Sequence, residues 1–227
     1  MKHFAVLIQL LRDRNQFLDD IRNDVKLERK ILSLLVVSCI FFGVYGAIIG
    51  SSSSWLQMLA SAVKLPALYL ITLGICLPTL YFFDILFGSK LNFRQYSAML
   101  MTTVAVISVL LFSFAPVVLF FLISIQGYNF FLLLNVTVMG LTGVIGVRLF
   151  YQGMRQIVTT DESSSSLRNR LLLGWLGLYA LVGSQLGWTL RPFFGAPNEP
   201  FQVFRPEIEG NFYAQILTSL GALLGWY

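Results

Sequence analysis

Ile31-Leu-Ser-Leu-Leu-Val-Val-Ser-Cys-Ile-Phe-Phe-Gly-Val-Tyr-Gly-Ala-Ile-Ile-Gly50 is a run of 20 residues without one charged side chain. Coiled as an α-helix it measures about 30 Å, the thickness of a bilayer's hydrocarbon core. The chain repeats this pattern on both sides of its middle. Apolar runs recur at about 65–87, 96–125, 130–151, 171–188 and 211–227. Composition agrees: 56% of the 227 residues are hydrophobic, only 12% are charged, and the mean hydropathy is +0.74. A soluble domain carries roughly a quarter charged residues and needs polar cover over a large surface. A soluble enzyme, a disulfide scaffold and a disordered chain are therefore excluded. The reading is an all-α, polytopic integral membrane bundle of about six transmembrane helices over 31–227, preceded by an amphipathic helix over 1–30 on the cytoplasmic side.

Charge supplies the orientation. Of the 16 basic residues, 13 fall on the side of the amino terminus, and Lys64, Arg191 and Arg205 fall on the other. That asymmetry is the positive-inside bias of six spans with both termini in the cytoplasm, as in a bacterial inner membrane or one derived from it. A net charge of +5 thus marks topology, and nucleic acid is not an expected partner. Cys39 and Cys76 lie inside apolar runs and form no framework or CxxC pair.

Several segments carry local detail. Phe4, Leu7, Leu11, Leu18, Ile21 and Val25 recur at helical spacing. They describe either a helix lying in the headgroups or a docking helix for a partner; Arg14 and Glu28 interrupt the companion row and disfavour a long coiled coil. Residues 55–64 read as a short interfacial piece, with Trp55 at headgroup depth and Pro66 in the first turn of the next span. Pro78 sits inside that span. The run 96–125, about 45 Å as a helix, is divided by Pro116. It is either one kinked, tilted helix or a helix followed by a re-entrant segment, and the first leaves fewer backbone groups unpaired in lipid. The last run is 17 residues, at the short limit for crossing.

Motifs for chemistry are scarce. His3 is the single histidine, so haem ligation, the usual zinc sites and histidine relays have no support. GxSxG, HExxH and P-loop patterns do not occur. No catalytic residue, metal site or cofactor is expected. Asp84 is a possible functional carboxylate, because ionisable groups in apolar runs attract that suspicion. Its place in the last turn of its span favours an interfacial ion pair with Arg148 or a basic loop residue. Asn135, Gln185, Thr102 and Thr103 are the mid-span polar residues, expected to form interhelical hydrogen bonds.

Small residues say more. Gly46 and Gly50, Gly183 and Gly187, and Gly221 and Gly225 each have GxxxG spacing, and Gly140, Gly143 and Gly146 recur every third residue. Such stripes let helix backbones approach closely in lipid, within one chain or between subunits. The loop 189–210 is rich in proline. Its Phe193, Phe194, Phe201 and Phe204 cannot all face water, so it should fold as a cap on the outer face, with Arg191 and Arg205 paired to Glu199, Glu207 or Glu209. The candidate partner-binding set is Gly183, Gly187, Gly221, Gly225, Arg191, Phe193 and Phe194.

Gly46-Ala-Ile-Ile-Gly-Ser51, a span opening at Leu65-Pro66, Phe87-Gly-Ser-Lys-Leu-Asn-Phe-Arg-Gln95 and the long apolar run after it resemble the Yip1-type domain of multispanning membrane proteins. Trp188-Thr-Leu-Arg-Pro-Phe193 is similar to a segment of bacterial polytopic membrane proteins. The resemblance implies a non-catalytic bundle linked to membrane organisation or complexes; six apparent spans in place of five, and the long outer loop, depart from it. The leading expectation is a non-enzymatic membrane subunit or scaffold that binds other integral membrane proteins. The alternative is a small transporter or channel component using the Pro78 and Pro116 breaks; a pigment- or lipid-binding accessory protein comes third, and a membrane enzyme last.

Overall fold

A computed structural model describes residues 2–86, 88–125, 127–157, 162–194, 201–204 and 211–224. Among them every regular element is a helix: α1 (Lys2–Arg12), α2 (Arg14–Arg22), α3 (Leu27–Gly50), α4 (Trp55–Leu86), α5 (Phe93–Ser124), α6 (Tyr128–Ile157), α7 (Glu162–Thr189) and α8 (Phe212–Leu223). Five of these, α3 to α7, hold stretches long and apolar enough to cross a membrane. The protein is a polytopic helical bundle. The sixth expected span is shorter than the sequence suggests: α8 has 12 residues, about 18 Å of helix.

The amino-terminal segment is two helices where one is expected. Asp13 ends α1 and caps α2, its side chain accepting the Gln16 N–H at 3.2 Å. A short acid that bonds a nearby backbone amide starts a helix more readily than it continues one. The break resets the helical register, so the buried face becomes Leu7, Leu10, Phe17, Leu18 and Ile21, while Phe4, Leu11 and Val25 are exposed. Asp24 and Lys26, at φ of 57° and 53°, then turn the chain into α3, which begins a turn before Ile31.

α1 lies across the bundle near the charged helix ends. His3 Nδ1 is 3.1 Å from Ser33 Oγ of α3, and Arg14, just beyond α1, donates to the Leu149 carbonyl of α6 at 3.4 Å. Beneath it α2 is held by Gln95 of α5, whose amide donates to the Ile21 and Arg22 carbonyls at 3.2 and 2.7 Å. Lys30 donates to Asp20 at 2.6 Å.

α3 is the central helix, packed against α4 and α5. It runs parallel to α5: Glu28 pairs with Arg94 at 3.2 Å at one level, and Phe41 stacks on Phe112 at 4.7 Å further along. Contact with α4 is closest at Gly46 and Gly50, where an added Cβ would meet the Ser61 backbone and, at 2.5 Å, the Gln57 carbonyl oxygen. The first GxxxG stripe therefore joins helices of one chain. Tyr45 and Phe42 fill the adjoining core, completely buried.

Two other expectations change. Residues 55–64 are not a separate interfacial piece: α4 runs unbroken for 32 residues, with Pro66 and Pro78 both inside it. α5 also runs 32 residues, through Pro116. Of the two readings of that run, the structure takes the single long helix.

Candidate functional site

The first turns of α4 carry Gln57, Ser61 and Lys64, spaced so that all three share one helix face. At the outer end of a span such a polar stripe looks misplaced, yet all three residues are buried. Their partners are backbone carbonyls of the outer loop. Gln57 Nε2 donates to the Pro192 carbonyl at 2.7 Å and to Ser61 Oγ at 3.0 Å. Ser61 Oγ donates to the Phe193 carbonyl at 2.6 Å. Lys64 Nζ donates to the Pro192 carbonyl at 3.1 Å and also to the Val203 carbonyl. Ser52, between α3 and α4, adds a bond to the Phe194 carbonyl at 3.0 Å.

Proline explains why side chains supply these donors. Pro192 has no N–H of its own, and a loop without a regular ladder must find donors elsewhere for its buried carbonyls. Each bond to a buried carbonyl avoids a desolvation cost of about 1–3 kcal/mol. Lys64 also lies 5.0 Å from the Phe204 ring centroid, a cation–π arrangement. The described parts of the loop, 191–194 and 201–204, are thus fastened to α4. Phe193 and Phe194 turn inward and pack against the core, with Phe194 edge-on to Phe131 at 5.7 Å. Phe201, Val203 and Phe204 face outward, 38%, 50% and 56% exposed.

Arg191, expected to pair with a loop glutamate, has its guanidinium 3.4 Å over the ring of Trp188. Arg205, Glu199, Glu207 and Glu209 lie outside the described residues, as does Gly225. The candidate glycines of α7 face the bundle: a Cβ on Gly183 would stand 3.6 Å from Thr72, and one on Gly187 3.9 Å from Leu68. Gly221 is buried. The glycines with open space around them are others: Gly74 on α4, Gly88 in the α4–α5 turn and, in pairs, Gly140 and Gly143 on α6 and Gly174 and Gly177 on α7. A Cβ added at any of these six would meet no described atom within 4 Å. Sequence spacing alone cannot separate these groups, because a GxxxG pattern does not say which neighbour the stripe meets.

Asp84 is buried at the inner end of α4. Among its described contacts, the Tyr96 hydroxyl of α5 donates to its carboxylate, and that hydroxyl lies 2.6 Å from Ser89 Oγ. The expected partner Arg148 is exposed on α6. The arrangement ties the α4–α5 turn together. At mid-span the Tyr45 hydroxyl donates to Asn135 Oδ1 at 2.8 Å, joining α3 to α6. The Thr102 and Thr103 hydroxyls donate to the carbonyls of Ala98 and Met99 in their own helix, so these bonds do not bridge to a neighbour. Gln185 is half-buried, and its backbone carbonyl accepts from Thr189.

Among the described residues no three His, Cys, Asp or Glu side chains gather closely enough to hold a metal ion. The chain matches no family model, no curated protein and no solved structure.

Proposed function

We propose that the protein is a non-catalytic integral membrane subunit or scaffold, which associates with other membrane proteins through its outer loop and its lipid-facing glycines. One observation carries this reading. Three buried polar residues of a membrane helix hold the loop backbone in place, and the loop presents Phe201, Val203 and Phe204 outward. A fixed aromatic surface is suited to recognition, since little ordering entropy is lost on contact. Gly140, Gly143, Gly174 and Gly177 add flat ground on which a further helix can approach closely. The resemblance to the Yip1-type domain belongs to the same proposal, in which it implies a role in membrane organisation.

We place both termini in the cytoplasm of a bacterial inner membrane or a derived membrane, on the strength of the basic-residue asymmetry. At mid-span Tyr45 is bonded to Asn135 within the bundle, whereas the buried Ser38 hydroxyl of α3 has no hydrogen-bond partner among the described residues. Purification of the tagged native protein in mild detergent tests the proposal. Wild type should carry a stoichiometric membrane partner, and Phe204→Ala should lose it. A chain that migrates alone under every mild condition contradicts the reading.

A further inference from the structure

At the inner end, α1 and α2 do not close fully on α5 and α6. They leave a crevice of about 160 Å³, walled by Leu10, Leu11 and Leu18 on one side and by Met99, Val106 and Leu149 on the other. Thr102 and Thr103 also line it, but their hydroxyls donate to carbonyls of their own helix, so the interior offers a ligand no free donor. Leu11, at its edge, is 54% exposed, and the crevice opens outward there. Arg14 completes the lining. Its guanidinium donates to the Leu149 carbonyl and to Gln152 Oε1, both at 3.4 Å. These are longer than typical bonds and use only part of its five N–H groups. Gln152 in turn sits between Arg148 and Arg155: positions 148, 152 and 155 share one face of α6, over about 10 Å of helix. Both arginines are exposed. Among the described residues none of Arg14, Arg148 and Arg155 has a carboxylate partner, and Asp13, beside Arg14 in the chain, accepts from the Gln16 amide. Three uncompensated cations thus gather at the mouth of a carbon-lined crevice.

We propose that this crevice and its arginines bind an anionic phospholipid of the inner leaflet, which faces the cytoplasm on the proposed topology. Phosphate oxygens accept from the guanidinium groups of Arg14, Arg148 and Arg155, whose planar forks match phosphate geometry. The upper part of one acyl chain lies in the crevice along Leu11, Val106 and Leu149. Basic pockets between helix ends on the cytoplasmic side suit anionic headgroups. A zwitterionic lipid would fill the crevice equally well but gains little from three cations. A soluble phosphate ester meets the cations and leaves the apolar walls uncovered. The site lies at the opposite end from the outer loop, so it goes beyond the docking role and its test needs no protein partner.

The experiment uses the purified full chain, stripped of lipid in detergent and titrated with short-chain phosphatidylglycerol, with retention read by native mass spectrometry. Phosphatidylcholine of the same chain length carries no net charge and should be retained about tenfold less. Arg148→Gln combined with Arg155→Gln changes two exposed positions and should weaken phosphatidylglycerol about tenfold to thirtyfold, the effect of two charges at a lipid surface. Arg148→Lys combined with Arg155→Lys keeps the charge and should keep most of the retention. Val106→Trp fills the crevice and should lower retention with all three arginines in place. Glycerophosphate in excess should not displace the lipid. Equal retention of the two lipids overturns the proposal, and so does wild-type retention by the double glutamine variant or by Val106→Trp. Displacement by glycerophosphate overturns it as well, by assigning the arginines to a soluble phosphate ester.

Discussion

Single atoms decide the fit of α3 on α4. A Cβ on Gly46 would press into the backbone of Ser61, and a helix backbone cannot swing aside as a side chain can. Gly46→Val should therefore cost about 1–3 kcal/mol through overpacking and lower the thermal midpoint in detergent. Gly140→Leu makes the opposite prediction: with no described atom within 4 Å of its Cβ, the isolated chain should melt as wild type does, and any partner that rests on this face should be lost. Lys64→Met leaves the Pro192 and Val203 carbonyls without this donor. The loop should loosen at a cost of about 1–3 kcal/mol, visible as faster proteolysis between 190 and 205 at unchanged helical content. Tyr45→Phe removes the bond to Asn135 and should cost about 0.6–2 kcal/mol, the range for interhelical bonds in membranes.

At the scale of elements, spans with uniform apolar faces are legible in the sequence and those that mix polarity are not. α3 and α6 follow from runs of carbon-rich side chains, because lipid demands them on nearly every face. The start of α4 over 55–64 is hidden, since Gln57, Ser61 and Lys64 look like interface residues until the loop that bonds them is in place. Their partners lie far away in the chain, at separations of 128–139 positions. No periodicity reports such a contact. The α1–α2 break is hidden for a local reason: Asp13 lies within a continuous apolar rhythm, and a cap is visible only through its bond to the Gln16 amide. Asp13→Ala should remove about 1 kcal/mol of helix stability, and hydrogen exchange should rise in residues 14–17 while the spans keep their protection. The candidate site is half legible. The loop's prolines and phenylalanines announce a folded cap, whereas spacing does not reveal that Gly183 and Gly187 of α7 face α4.

At the scale of the whole molecule, the polar chemistry is divided between two ends. The inner end gathers Asp20 with Lys30, Glu28 with Arg94, and Asp84 with Tyr96. The outer end holds Lys64 and a set of neutral donors turned on the loop backbone, with Arg191 stacked over Trp188 beside them. On the proposed topology the end rich in basic residues faces the cytoplasm and the aromatic end lies outside, where the proposal puts recognition by another membrane component. Single cysteines at Asn92, in the α4–α5 turn, and at Gln202, in the outer loop, test this arrangement most directly, once Cys39 and Cys76 are replaced by alanine. Labelling of intact cells with a membrane-impermeant maleimide should modify the Gln202 position and leave the Asn92 position untouched until the cells are opened. Equal labelling of both positions in intact cells would contradict the account.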